Sequence, residues 1–280
     1  MSLGVLNNIS AIYASTNLNQ TQASLQKTLT QLSSGSRINS GADDAAGLAL
    51  ADGLHANVSA LSQSALNAQA GVGLLQTADG ALSQVTSLLN RAITLATEAS
   101  NGTLNTNQST SADTEFQNIV TEINNIGTKT NYNGNAVFSG TAVNLFVSDG
   151  TSGGATTFAV TVGKLANNSV GTATTPTDLS ASVLTSASAA QSALTALTDA
   201  VAGVALQRGN LGASINQLSA AANVANTQSV NLQDAENNVR ATNYGQATSD
   251  MAKYKVLSQT GIAALAQANA VQQDVLKLLQ

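Results

Sequence analysis

The chain has 280 residues, and its 10 Lys and Arg stand against 15 Asp and Glu for a formal net charge of −5. Charged residues make up only 9%, against roughly 25% in an average globular protein. An acidic chain without a basic stripe does not suit nucleic-acid binding, and the absence of Cys removes disulfides, thiol nucleophiles and Cys-based metal sites. Aromatics are 3%, there is one Pro and no Trp, so few large side chains are on hand for a compact core. Burial contributes about 25 cal/mol per Å², and Ala offers little area. The composition favours long helices that pack along their lengths. The chain contains no run of eighteen apolar residues, so no membrane insertion is expected. The first positive charge is Lys27, which leaves no basic region of a secretory signal.

From the N-terminus, Leu3, Leu6, Ile9 and Ile12 recur every three residues, and Leu18, Leu25, Leu29 and Leu32 follow at seven, four and three. This spacing predicts one apolar stripe on an end helix. Ser33 to Ser36 and Gly41 break it, and Asp43 and Asp44 precede an Ala-rich helical run to about Ser100. Unbroken, that run measures about 85 Å at 1.5 Å per residue. Its glycines mark kinks or close approaches of another backbone. Asn101-Gly102 ends it, and a shorter helix from about Ser109 to Gly127 carries Phe116, Ile119, Val120, Ile123 and Ile126.

The pattern then changes. Val143, Leu145 and Val147 alternate, as do Phe158, Val160 and Val162, which predicts a β-hairpin around Asp149 to Gly154. Asn133-Gly134 is a further turn signal, and residues 163–180 read as a loop holding Pro176. Helical patterning resumes near Ala181 and runs to about Val239, with an interruption at Gly203 to Gly212. A last stripe follows the Arg240 to Gly245 break: Met251, Tyr254, Leu257, Ile262, Leu265, Val271, Val275 and Leu279. The plan is mirror-symmetric and mainly α, a long antiparallel helical bundle formed by the N- and C-terminal segments around a small β-hairpin-containing middle. Two arrangements fit: the end stripes lie side by side in one chain, or each end helix pairs with another subunit.

Specific runs now match a family. LSSGSRINSGADDAAG (Leu32 to Gly47) resembles the N-terminal signature of bacterial flagellins, and Gly80 to Thr103 resembles the segment that follows it. TKTNYNGNAVF (Thr128 to Phe138) resembles the flagellin step from helix into β-structure, and Thr248 to Gln280 resembles the flagellin C-terminus. The matches are long and collinear. They leave only residues 140–180 unsupported, the part in which flagellins vary most, and here it is brief.

The resemblance implies a structural subunit, without catalysis or cofactor, that polymerises into the extracellular flagellar filament. It implies an inner layer of paired helices from residues 1–42 and 241–280, a next layer from 43–180 with its solvent-facing β-rich middle, and a returning helix over 181–240. Self-assembly then falls to Leu3, Leu6, Ile9, Leu25, Leu29, Leu32, Leu257, Ile262, Leu265, Val271, Val275 and Leu279. Export unfolded through the flagellar type III apparatus is implied too, with a chaperone on the C-terminal helix and with filament cap and hook-junction proteins as partners. Arg37 with Asp43 and Asp44 is expected to form a salt-bridged corner between end helix and long helix. Arg91, Leu95 and Glu115 match positions by which some flagellins meet the vertebrate Toll-like receptor for flagellin.

Other chemistry finds little support. His55 is the only histidine, so a His-Glu-x-x-His zinc site cannot be built. Gly71-Val72-Gly73 lies inside a helical run, where a phosphate cradle does not form. Two rivals share the terminal pattern or the composition: a hook–filament junction protein, and a secreted monomeric adhesin or immune ligand.

Overall fold

A computed structural model describes residues 8–149, 157–171 and 176–278. The helices are α1 (Ile9–Ser34), α2 (Ala45–Ser100), α3 (Thr106–Lys129), α4 (Ala187–Arg240) and α5 (Tyr244–Leu278). Between α3 and α4 lie three antiparallel strand pairs: β1 (Asn131–Tyr132) with β2 (Asn135–Ala136), β3 (Ala142–Phe146) with β4 (Thr157–Thr161), and β5 (Val170–Gly171) with β6 (Pro176–Thr177). The chain forms two compact units, residues 1–56 with 231–280, and residues 57–230.

In the first unit α1 and α5 pack as an antiparallel pair. Asn8 Nδ2 donates to the Ala268 carbonyl at 3.0 Å, Leu18 faces Gly261, and the Thr242 amide donates to the Gly35 carbonyl at 3.0 Å. Each rise along α1 is thus a matching descent along α5. Of the two arrangements left open by the sequence, this is the intrachain one. The seam follows a heptad. On α1, Ala11, Leu18, Leu25 and Leu32 recur at seven with Ala14, Thr21 and Thr28 between them, all half-buried or buried. On α5 the matching set is Ala247, Tyr254, Gly261 and Ala268 with Met251, Ser258 and Leu265. Small residues are frequent in the seam, so the backbones approach closely: a Cβ on Gly261 would stand 3.2 Å from Leu18 Cδ1.

Two ends of α1 are fixed by local chemistry. Asn8 caps its N-terminus by accepting from the Ala11 amide at 3.0 Å. Gly35 closes the C-terminus with φ +70°, a conformation that needs glycine, and Tyr244 Oη lies where a side chain would stand.

The second unit holds one continuous core. Leu75, Leu82, Val85 and Leu89 of α2, Phe116 and Ile123 of α3, and Leu197, Val204, Leu211 and Leu218 of α4 are all at most 2% exposed. Fully buried Ala68, Ala78, Ala92, Ala190 and Ala200 let the helices come close. α2 is unbroken through all its glycines. Two of them are close-approach points within this unit. Gly71 lies under Leu145 and Leu218, and Gly73 lies under Tyr132 Oη. Gly53 and Gly80 have open space around them, so packing does not explain those two.

The predicted hairpin strands pair as expected, with Val143 opposite Val160 and Leu145 opposite Phe158; its predicted turn at 150–154 lies outside the described residues. β3 rests on α2, where Ser64 Oγ donates to the Ser148 carbonyl and Asn67 Nδ2 to the Phe146 carbonyl at 3.1 Å. Asn133 and Gly134 sit at φ +50° and +79° in the two-residue turn between β1 and β2, the geometry that Asn-Gly favours.

Three expected boundaries are corrected. α3 begins at Thr106 rather than Ser109, because Asn105 and Gln108 form a reciprocal capping box. α4 begins at Ala187 rather than Ala181, since Ser186 accepts from the Ala189 amide while Ser182 and Leu184 are held by Gln117 and Asp113 of α3. No interruption occurs at Gly203 to Gly212. Val204, Gln207 and Leu211 are buried there, and their packing outweighs a cost of about 1 kcal/mol per helical glycine. By length and composition alone α4 could cross a membrane, which the sequence reading did not anticipate. In the fold its Leu197, Val204, Leu211 and Leu218 face the core, and its Arg208 pairs with Asp79 at 2.7 Å.

Candidate self-assembly site

Pairing of α1 with α5 does not consume their apolar surface. Ile9 is 58% exposed, Ile12 59% and Tyr13 68%, while Ile262 is 55% and Val271 47%. Leu29, Val256 and Leu257 are bare as well. The single stripe expected on each end helix is therefore two surfaces. Leu25, Leu32 and Leu265 belong to the seam, with Leu18, Met251 and Tyr254. Ile9, Leu29, Leu257, Ile262 and Val271 lie beside it or away from it. The reason is angular. A residue next to a seam position is turned by about 100° on a helix of 3.6 residues per turn, so Ile12 after Ala11 and Ile262 after Gly261 leave the seam. Leu3, Leu6 and Leu279 lie outside the described residues, as does the Val275 side chain. Single apolar residues on a surface are ordinary, but large ones recurring along both helices of one pair make that pair the candidate contact surface. At the open end of the pair, Asn8, Ala11, Ile12, Ser15, Thr16 and Leu265 line a shallow groove.

The connectors that lead into the end helices are tied to one another. The Arg37 amide donates to the Arg240 carbonyl at 2.6 Å, and Ser36 forms a β-bridge with Ala241. Gln31 Nε2 donates to the Arg37 carbonyl at 2.8 Å, and Thr242 Oγ1 donates to the Gln31 carbonyl at 3.2 Å.

Here the expected ion pair of Arg37 with Asp43 and Asp44 is corrected. The Arg37 guanidinium donates instead to the Val239 carbonyl at 2.9 Å, near the C-terminus of α4, where a cation is favoured. The cation on Asp43 is Lys27, at 2.8 Å. Asp43 also accepts from the Asn39 and Ser40 amides. The Lys27 bond first, then the Asn39 amide, hold the Asp43 carboxyl at about 2, below its ordinary 3.8. Asp44 accepts from the Gly47 amide at 2.9 Å and so caps the start of α2. The sequence reading missed Lys27. Its signal was that it is the sole charge before Arg37, on a helix that carries it back toward the connector.

In the second unit, Arg91 Nε contacts Glu115 Oε1 at 2.7 Å on the surface of α2 and α3. The pairing lowers the Glu115 carboxyl and raises the Arg91 guanidinium from their ordinary values. Leu95 does not share this surface; it is 4% exposed and lies in the core. In the first unit, His55 is exposed and its Nδ1 lies 3.2 Å from Glu236 Oε2. Among the described residues no group of three or more His, Cys, Asp or Glu is placed to hold a metal ion.

The chain is similar to proteins of one family over most of its length. Residues 5–143 match the model of the bacterial flagellin N-terminal helical region, and residues 194–279 match that of the C-terminal helical region. A flagellin of Halalkalibacterium halodurans is 35% identical over 94% of this chain and 93% of its own length. The flagellar filament 30.7 kDa core protein of Treponema maltophilum is 31% identical over 97% and 98%. A crystal structure of Bacillus cereus flagellin aligns with a TM-score of 0.48 at 28% identity, over 57% of this chain and 88% of that one. Both ends of the chain, and therefore both helices of the seam, fall within the matched regions, and the chain belongs to the bacterial flagellin family.

Proposed function

We propose that copies of this chain polymerise into the flagellar filament through the bare apolar faces of the α1–α5 pair. The family is structural, and the chain is a filament subunit serving motility. The observation that supports this route is that the two helices satisfy each other along one seam and still expose Ile9, Ile12, Tyr13, Ile262 and Val271. Residues 1–42 and 241–280 would form the inner layer of the filament. Residues 43–180 and 181–240 would form the next layer, with the β-rich middle outermost. Secretion unfolded through the flagellar export apparatus fits side chains that have no partner in the free chain. The same face of α5 suits an apolar groove on an export chaperone, in the manner of an amphipathic helix. Filament cap and hook-junction proteins would meet these surfaces at the two ends of the polymer. The Arg91–Glu115 pair is the part of the receptor-like patch able to make a surface contact with the Toll-like receptor for flagellin.

The test is removal of Gln259 to Gln280 from the purified chain, followed by sedimentation and negative-stain electron microscopy. The truncated chain should keep the helical signal of residues 57–230 and form no filaments. Filaments of ordinary length from the truncation would overturn the proposal.

A further inference from the structure

The chain contains two Asn-Gly dipeptides, and the fold places them in different settings. Asn101-Gly102 lies in the short exposed link between α2 and α3. Gly102 has φ +67° and Gly134 φ +79°, and nothing stands within 4 Å of where either Cβ would be, so the difference lies in what holds the backbone around them. Asn133-Gly134 is the two-residue turn between β1 and β2, closed by the Tyr132 to Asn135 pairing below it and by the Val137 amide bond to the Thr130 carbonyl at 3.0 Å.

We infer that Asn101 is a site of spontaneous deamidation in this chain and that Asn133 is protected by its turn. In this reaction the Gly102 backbone nitrogen gives its proton to hydroxide and attacks Asn101 Cγ. A C–N bond forms, the Cγ–Nδ2 bond breaks, and ammonia leaves. Water then opens the resulting cyclic imide at either carbonyl and leaves aspartate or isoaspartate at position 101. No oxidant, reductant or enzyme is required. Glycine is the favoured follower because it has no Cβ to obstruct the attack, and the open space at Gly102 adds no obstruction from elsewhere.

The same chemistry at Asn133 requires the backbone to leave its turn. A positive φ of 50° at Asn133, followed by 79° at Gly134, holds both residues in the left-handed region, inside a turn whose strands pair directly below it. The Gly134 nitrogen reaches Asn133 Cγ only after rotation about ψ, which breaks the pairing on both sides of the turn. Reaction there proceeds only from a locally opened state. The product at Asn101 has a consequence for the fold. It places a new carboxylate just past the C-terminus of α2, where the helix dipole and the neighbouring Glu98 both oppose negative charge.

The test is incubation of the full-length folded chain at mildly alkaline pH with timed tryptic mapping. The two dipeptides fall in separate fragments, residues 92–129 and 130–164. The readouts are the amide-to-acid mass change and isoaspartyl content by enzymatic methylation. The expected result is conversion at Asn101 with Asn133 at least about tenfold slower, an opening free energy of about 1.4 kcal/mol or more. In fragments digested before incubation the two rates should converge. Equal rates in the folded chain, faster conversion at Asn133, or an unmodified Asn101 when the digested fragment converts would each overturn the inference. Asn101→Gln should remove the fast phase while leaving the far-ultraviolet spectrum unchanged.

Discussion

Replacing Ile262 by Ala separates the two surfaces of the end helices. Ile262 is 55% exposed in the single chain. Full burial of an Ile side chain contributes roughly 1.5–3 kcal/mol, so covering the remaining half by a neighbouring copy is worth about 1–1.5 kcal/mol, and Ala forfeits most of it. At about 1.4 kcal/mol per tenfold, the critical concentration for polymerisation should rise about fivefold to tenfold. The thermal transition of residues 57–230 should not move, because Ile262 lies outside that unit. Leu18→Ala is the companion variant: it removes a half-buried seam residue and should weaken the α1–α5 pair itself. The assay is the protein left in the supernatant after high-speed sedimentation of polymerised samples. An unchanged critical concentration for Ile262→Ala would show that its face is not buried in the filament, and would refute the reasoning.

Other perturbations have defined outcomes. Gly127→Ala would push a Cβ onto the Leu165 carbonyl oxygen, a backbone atom that cannot swing away; differential scanning calorimetry should show a loss of about 1–3 kcal/mol, and an unchanged midpoint would contradict the packing. Phe116→Ala empties the most deeply buried aromatic position of α3 and should cost about 3–5 kcal/mol in denaturant titration. Arg37→Ala removes the cap on the Val239 carbonyl and should shorten filaments in electron micrographs, with Arg37→Lys restoring them in part; filaments of ordinary length from Arg37→Ala would refute the cap. The Asp43 carboxyl is depressed from 3.8 to about 2, so its contribution is present above about 3.8 and is lost as pH falls through 2. The protection of the Asn39 and Ser40 amides, taken relative to their intrinsic exchange at each pH, should fall over that interval, and Asp43→Asn should abolish that fall.

Much of the architecture was legible because helix periodicity survives a low-charge composition. The break near Gly35, the hairpin strands and the resumption of helix after the β-rich middle could all be read from spacing and turn residues. The long unbroken run of α2 followed from Ala, Leu and the acids at its start. What could not be read depended on neighbours distant in sequence. The glycines of α4 look like an interruption until Val204 and Leu211 are seen buried. The β5–β6 pairing lies in a stretch whose Ser, Thr and Asn carry no alternation. At the corner, Arg37 is six residues from Asp43, and that closeness suggested a pair. Chain direction decides otherwise: Arg37 is drawn to the end of α4, and Lys27 reaches Asp43 from the preceding helix. Leu95 shows the same limit, because a surface inferred by resemblance did not reveal which side of α2 is covered.

The central claim is that one seam joins α1 to α5 within a chain, and the faces left bare join chains to each other. A cryo-electron microscopy map of the polymerised chain tests it most directly. The account predicts that the α1–α5 pair is retained and that Ile12, Tyr13, Ile262 and Val271 lie against neighbouring copies. A map in which α1 pairs with α5 of another copy, or in which these side chains face water, would contradict it.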